Sequence, residues 1–341
     1  MSSQYLLTIH YSRLFHYFYK KQLLYQLFLL PARLAIYFYC RKIIFNKKEM
    51  LHETGPLLIA SNHPNSFLDA IIIASIFKSP VYSLARGDVF AGRMINRLLA
   101  SLNMFPVYRI SEGTENLENN YTTFDSCQKL FLQNKIVLIF SEGRCINEWH
   151  LRSLKKGTAR LAINAWENNI PLKVLPLGIN YSSFRFYGKN MIINFGNIIS
   201  KKDMDGYLYN GRSIKEFNKR LQSQLEGLVY EIDANDKEKL KKYFYVKQAL
   251  VKKIILFFPA IAGFIVNGPL YFAIHLIIKD RAKDHYDSIM IGLLFFLFPL
   301  YVFAVTLFIF FLTKNLYAFL LVALVPFTAW SYLQLKKQIR G

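Results

Sequence analysis

Short apolar runs alternate with helical segments between residues 47 and 232. In 67–77, for example, Leu68, Ile71, Ile72 and Ile76 recur at the spacing of one helix face. Runs of four to six apolar residues bounded by turn residues indicate strands, and they fall at 57–60, 81–84, 136–140, 174–179 and 191–195. The pattern therefore predicts an α/β domain over 47–232, with a mixed, largely buried sheet flanked by helices.

Three later stretches, 254–278, 289–312 and 315–335, contain no Asp, Glu, Lys or Arg. The second and third can each cross about 30 Å of hydrocarbon as a helix, so they predict a transmembrane hairpin with Thr313-Lys314 at its tip. The first contains Pro259 and the turn signal Asn267-Gly268-Pro269, which favours a re-entrant hairpin over a bent span. A re-entrant segment would also keep the α/β domain and the basic tail on one cytoplasmic side.

Basic residues alternate with aromatic and apolar ones before Glu49, the first acidic residue of the chain. This composition predicts basic amphipathic helices lying in the membrane interface over residues 1–46. A charged segment at 233–250 is interpreted as a linker to the membrane region 251–341. The chain is therefore expected to be a multi-pass protein of the cell membrane.

A net charge of +21 is also compatible with nucleic-acid binding, but the excess lies in segments beside apolar stretches and no nucleic-acid-binding motif is present. We therefore expect membrane lipids, and no nucleic acid, as partners. Cys40, Cys127 and Cys145 have no paired spacing, so the sequence predicts neither a disulfide framework nor a metal site.

The segment NHPNSFLDA, residues 62–70, places His63 in a loop between a predicted strand and a predicted helix. A histidine held by a carboxylate, here Asp69, is typical of a general base with its orienting acid. The alternative is purely structural, because Ser66 followed three residues later by Asp69 is also a helix-capping box.

Further motifs follow the histidine segment in a fixed order: LARGDVF at 84–90, FPVYR at 105–109, IFSEGR at 139–144, LKKGTAR at 154–160 and VLPLGIN at 174–180. From about residue 56 to 180, the series resembles the motif blocks of the glycerolipid acyltransferases, which include lysophosphatidate and glycerol-phosphate acyltransferases. Five residues separate His63 from Asp69 where the family usually has four, so the chain resembles a branch with the longer spacing. Arg144 stands one position earlier than the arginine of the third family block.

The resemblance implies a membrane-bound enzyme that moves an acyl chain from an acyl-CoA or acyl-ACP thioester to a lysophosphatidate-like acceptor. It needs no cofactor or metal, and its catalytic domain faces the cytoplasm, where such donors occur. His63 would be the base and Asp69 its orienting acid. The acceptor would be bound by Arg109, Arg86, Lys156, Glu142, Gly143 and Arg144.

Several alternatives remain open from the sequence. The acceptor could be glycerol 3-phosphate or a lyso-aminolipid without phosphate. The chain could also be a non-catalytic lipid-binding membrane protein that keeps the fold. Each cation could be an ordinary surface charge, and Glu142 could be a solvated loop acid.

Overall fold

A computed structural model describes residues 24–90, 92–107, 117–208, 211–281 and 283–339. Its centre is a seven-stranded sheet in the order β1-β7-β6-β2-β5-β3-β4. The strands are β1 Cys40–Phe45, β2 Leu57–Ser61, β3 Val81–Arg86, β4 Met104–Val107, β5 Ile136–Phe140, β6 Lys173–Tyr181 and β7 Lys189–Phe195. Neighbouring strands from β6 to β4 are parallel, whereas β7 runs antiparallel to β6. The predicted mixed sheet is confirmed.

Successive residues of the central strands enter different cores, because side chains alternate across a strand. In β2, Leu57 and Ile59 belong to one buried cluster, and Leu58 and Ala60 belong to the other. Burial on both faces explains why the central strands read as continuous apolar runs. The flanking helices are α1 Leu24–Tyr39, α2 Phe67–Ile76, α3 Arg93–Ser101, α4 Leu117–Leu132, α5 Lys156–Glu167 and α6 Ser213–Glu226.

All five predicted strands are confirmed, but β1 and β4 were not predicted. The expectation that residues 1–46 form interface helices is wrong for β1, which pairs in parallel with β7. Arg41 and Lys42 in this edge strand made it resemble a basic amphipathic helix, although Arg41 is buried and bonds the carbonyls of Leu333 and Lys336. Residues 24–39 do form a helix, and residues 1–23 lie outside the part of the chain that the structure describes.

The expected linker 233–250 contains a further helix, α7 Lys237–Phe244. Asp236 caps it, since its side chain accepts a hydrogen bond from the Lys239 amide at 2.8 Å. Leu240 and Phe244 are buried against Ile192 and Ile232. The charged residues therefore form the solvated face of a docked helix.

Among the described residues, three helices are long and apolar enough to cross a membrane: α8 Leu250–Ile278, α9 Tyr286–Thr313 and α10 Leu321–Leu335, the last two extended at their N-termini by short 3₁₀ turns. The stretches predicted at 289–312 and 315–335 are confirmed as helical. Lys314, between them, adopts the left-handed conformation with φ 54°.

The predicted re-entrant turn at Asn267-Gly268-Pro269 is wrong, because α8 is continuous through it. Asn267 Nδ2 donates to the Gly263 carbonyl at 3.1 Å, one turn back along the same helix. Lys252, near the start of α8, bonds the Gln334 side chain at the end of α10, and Ile278 at its other end is buried in the core of the α/β domain. Both ends of α8 thus lie near the domain without a turn between them.

Candidate active site

The candidate residues lie at the carboxyl ends of neighbouring parallel strands. His63 follows β2, Glu142 follows β5, and Arg86 ends β3. Since β2, β5 and β3 are adjacent and parallel, these ends meet at one edge of the sheet, where ligands of open α/β sheets bind. Asn62 fixes the loop to β6 through two hydrogen bonds with the Ile179 backbone, at 2.8 and 3.0 Å.

His63 and Asp69 are in direct contact. The distance from His63 Nδ1 to Asp69 Oδ2 is 2.9 Å, and the side chains are 18% and 0% exposed. The imidazole stacks on the Phe140 ring, with centroids 3.8 Å apart and planes at 10°. A neutral imidazole that donates from Nδ1 to a carboxylate carries its lone pair on Nε2, facing away from Asp69.

The capping-box alternative is wrong. Ser66 precedes α2, but its side chain makes no capping bond, and its backbone lies in the left-handed region with φ 55°. The Asp69 carboxylate instead turns back to the loop, where Oδ2 also accepts from the Asn65 amide at 2.8 Å. The His63–Asp69 contact therefore replaces the cap.

Tyr181, at the end of β6, is a site residue that sequence reasoning missed. Its hydroxyl donates to Asp69 Oδ1 at 2.6 Å, so each carboxylate oxygen has a buried donor. Burial, and after it the negative charge of Asp69, raises the pKa of Tyr181 well above its ordinary value, so the phenol remains a donor. Its position one residue beyond the motif at 174–180 was the available signal.

Glu142 is not a solvated loop acid, since its side chain is only 3% exposed. One oxygen accepts from the His63 amide at 2.8 Å and the other from the Arg152 amide, also at 2.8 Å. The Arg152 guanidinium lies 3.5 Å from the same carboxylate. Glu142 thus joins the His63 loop to the segment after β5, and Arg152 is a partner that the sequence did not indicate.

Three of the other predicted binding residues, all of them cations, are exposed. Arg86 is exposed and paired with Asp88, Arg144 is exposed and its carbonyl accepts from Arg152, and Lys156 is exposed at the start of α5. Gly143 has φ +70°, as its tight turn after β5 requires. Arg109 lies outside the described residues.

Backbone amides at the start of α2 are engaged within the protein. The amide of Asn65 bonds Asp69, that of Ser66 donates to Cys145 Sγ at 2.9 Å, and that of Leu68 donates to Ser288 Oγ at 3.0 Å. These three amides hold the loop rather than facing a ligand. Burial raises the pKa of the Cys145 thiol, so it remains a neutral acceptor.

In the described ranges, no group of three His, Cys, Asp or Glu side chains could hold a metal ion. An apolar cavity of about 540 Å³ lies between α1, α8, α9 and α10. Its lining includes Tyr39, Asn267, His275 and Lys336 but none of His63, Asp69 or Glu142. The cavity is therefore separate from the His63 site.

Fold and site together define an α/β domain with a histidine–aspartate pair at the carboxyl edge of its sheet. Residues 42–180 match the model of the family described as Acyltransferase. The chain is similar to the chloroplastic 1-acyl-sn-glycerol-3-phosphate acyltransferase LPAT1 of Arabidopsis thaliana, at 24% identity over 188 residues, or 55% of this chain and 48% of the relative. The chain thus matches about half the length of that protein.

The chain is less similar in sequence to a protein of solved structure. That protein is the 1-acyl-sn-glycerophosphate (LPA) acyltransferase PlsC from Thermotoga maritima, with 14% identity and a TM-score of 0.40. The alignment covers 60% of this chain and 74% of that one.

Proposed function

We propose that this protein is a membrane-bound acyltransferase that esterifies the hydroxyl of a lysophosphatidate-like acceptor with an acyl chain from a thioester. The observation that carries the proposal is the His63–Asp69 pair, with both Asp69 oxygens held by buried donors. The match to the Acyltransferase family model and the printed name of the plant relative support acyl transfer to a lysophosphatidate. Acyl-CoA and acyl-ACP are equally compatible donors.

His63 Nε2 takes the proton of the acceptor hydroxyl as the oxygen attacks the thioester carbonyl. The imidazolium that forms is stabilised by Asp69, which remains anionic. When the tetrahedral intermediate collapses, the carbon–sulfur bond breaks and the proton passes from His63 to the thiolate. The products are an ester and a free thiol, and no covalent enzyme intermediate is required.

The acceptor phosphate would be bound at the same sheet edge by exposed cations. Arg86 ends β3 beside β5, and its exposed pair with Asp88 contributes little to stability, so a phosphate can replace that partner. Arg109 and Lys156 are the other proposed phosphate ligands. Arg152 is excluded from this role because Glu142 and Glu148 already neutralise it.

The test is an assay of purified protein with labelled acyl-CoA or acyl-ACP against lysophosphatidate, glycerol 3-phosphate and a lyso-aminolipid. His63→Ala should lower kcat by at least ~10²-fold, the contribution of a positioned base. His150→Ala is the matched control, because His150 is exposed and bonded to Glu231. Wild-type turnover in folded His63→Ala would refute the mechanism, and acylation of the aminolipid alone would refute the acceptor.

A further inference from the structure

The first turn of the membrane helix α9 reaches into the candidate active site. Asp287 is fully buried there, far from its partner Asn65 in sequence. Its Oδ2 accepts from Asn65 Nδ2 at 2.7 Å and forms an ion pair with Lys189 of β7. Its Oδ1 accepts from the Tyr39 hydroxyl at 2.5 Å.

Asn65 links this pair to Asp69, the proposed orienting acid of His63. Its side chain is held by Asp287, while its amide donates to Asp69 Oδ2, the oxygen that contacts His63. The neighbouring Ser288 fixes the same loop, since its hydroxyl donates to the Asn65 carbonyl at 3.3 Å and accepts from the Leu68 amide. The loop position therefore depends on α9.

A second route leads from Lys189 to the other Asp69 oxygen. The Lys189 Nζ lies 5.4 Å from the centre of the Tyr181 ring, and the Tyr181 hydroxyl donates to Asp69 Oδ1. The buried pair thus reaches each Asp69 oxygen through one intermediate residue, Asn65 on one side and Tyr181 on the other.

Stability alone does not account for a fully buried pair at this position. Taking both charges out of water is costly, and well-packed apolar residues in place of such pairs are often neutral or stabilising. The Lys189–Asp287 pair fixes the orientation of the Asn65 side chain and of the Tyr181 ring. That orientation matters here because those groups in turn orient Asp69.

We propose that Asp287, together with Lys189, is a positioning residue for acyl transfer: through Asn65 it holds Asp69 in the geometry that orients His63. The inference rests on the proposed role of His63 as the base. It makes the first turn of α9 a part of the active site rather than only the start of a membrane anchor.

The test uses the entire 341-residue chain and two variants of it. Asn65→Ala removes the side-chain link but keeps the charge pair, and the double variant Lys189→Met with Asp287→Leu removes both charges without leaving either unpaired. Each should lower kcat roughly 10- to 100-fold, the equivalent of one lost hydrogen bond to a charged group, with KM for donor and acceptor unchanged.

The pH profile distinguishes positioning from loss of folded protein. A looser Asp69 contact supports the imidazolium less, so the acid limb of kcat should move to lower pH, whereas acid unfolding of a destabilised variant would move it to higher pH. Combined with His63→Ala, Asn65→Ala should cause no further loss. Lys252→Met, which breaks a contact between α8 and α10 away from the site, should change neither kcat nor the acid limb.

Two results would overturn different conclusions. If His63→Ala keeps its turnover, the proposed function fails whatever the other variants do. His63→Ala could be inactive while folded Asn65→Ala and the double variant keep the wild-type kcat and the wild-type acid limb of the pH profile. That result would refute the positioning role of Asp287 and leave the proposed function intact.

Discussion

The Glu142 carboxylate joins the His63 amide to Arg152, so its removal should loosen the loop rather than release a ligand. Glu142→Gln should lower the free energy of unfolding by about 1–3 kcal/mol, because the Arg152 guanidinium loses the buried Glu142 carboxylate as its charged partner. It should also reduce kcat while leaving the acceptor KM unchanged. Thermal unfolding and steady-state kinetics measure the two effects.

Glu148→Gln is the control for this prediction. Glu148 pairs with the same Arg152 but is 37% exposed, so its loss should cost less than about 1 kcal/mol. A raised acceptor KM with unchanged stability in Glu142→Gln would assign the carboxylate to acceptor binding instead.

Tyr181→Phe removes only the hydroxyl that donates to Asp69. The pKa of Tyr181 is raised in the folded protein, so the stabilisation by the phenol is complete below the unfolded pKa of about 10 and decreases as pH rises through the folded value. The stability difference between wild type and Tyr181→Phe should therefore be constant from pH 7 to about 10 and narrow above it. Unfolding measured across this pH range shows whether the stability difference narrows only above about pH 10. A stability difference that disappears near neutral pH would contradict the prediction.

At the residue scale, the sequence could indicate only partners that lie close together along the chain. His63 and Asp69 are six positions apart, so their pairing was readable from one motif. Tyr181 lies 112 positions from Asp69, and Asp287 lies 222 from Asn65. Such contacts depend on which strands and helices become neighbours, which local spacing does not encode.

At the scale of elements, Gly263 sets how closely α8 approaches α10. A Cβ at this position would lie 2.0 Å from the Thr328 carbonyl oxygen, so Gly263→Ala must separate the two helices. We expect a loss of about 1–3 kcal/mol, as for other overpacked sites. Gly292→Ala in α9 is the matched control, because a Cβ there meets nothing within 4 Å. Thermal unfolding in detergent compares them, and equal stability of the two variants would contradict this packing.

The elements show which patterns were informative. Strands buried on both faces, such as β2 and β5, were predicted because a short run of apolar residues between turn residues is typical of a buried strand. The edge strand β1 is buried only in part and carries Arg41 and Lys42, so composition favoured an interface helix. In α8, the signal Asn267-Gly268-Pro269 predicted a turn, but the helix runs through it and packs closely against α10 at Gly263 and Thr328.

At the scale of the whole molecule, α9 and α10 should form a transmembrane hairpin whose tip lies opposite the α/β domain. The basic residues after α10 favour the cytoplasmic face, where the proposed donors occur. Single cysteines at Leu316 and Lys337, in a background without the three native cysteines, can be labelled with an impermeant reagent in intact cells. Both positions are exposed, and Leu316 should react while Lys337 should not.

Labelling of Lys337→Cys alone would show the inverted orientation. Labelling at both positions would contradict the hairpin, because it would place both ends of the α10 region outside. Labelling of the same variants in permeabilised cells is the control, because both cysteines should then react with the reagent.

Tyr286 and Met290 of α9 are buried in the same core as Leu57 and Ile59 of β2, so this core combines early and late parts of the chain. The ribosome delivers the chain from its N-terminus, so the strand before His63 emerges long before these two residues. This core cannot be completed by a nascent chain that stops before α9. We therefore expect the α/β domain to finish folding only after α9 has been synthesised, and truncated translation products should carry the histidine motif without a finished core.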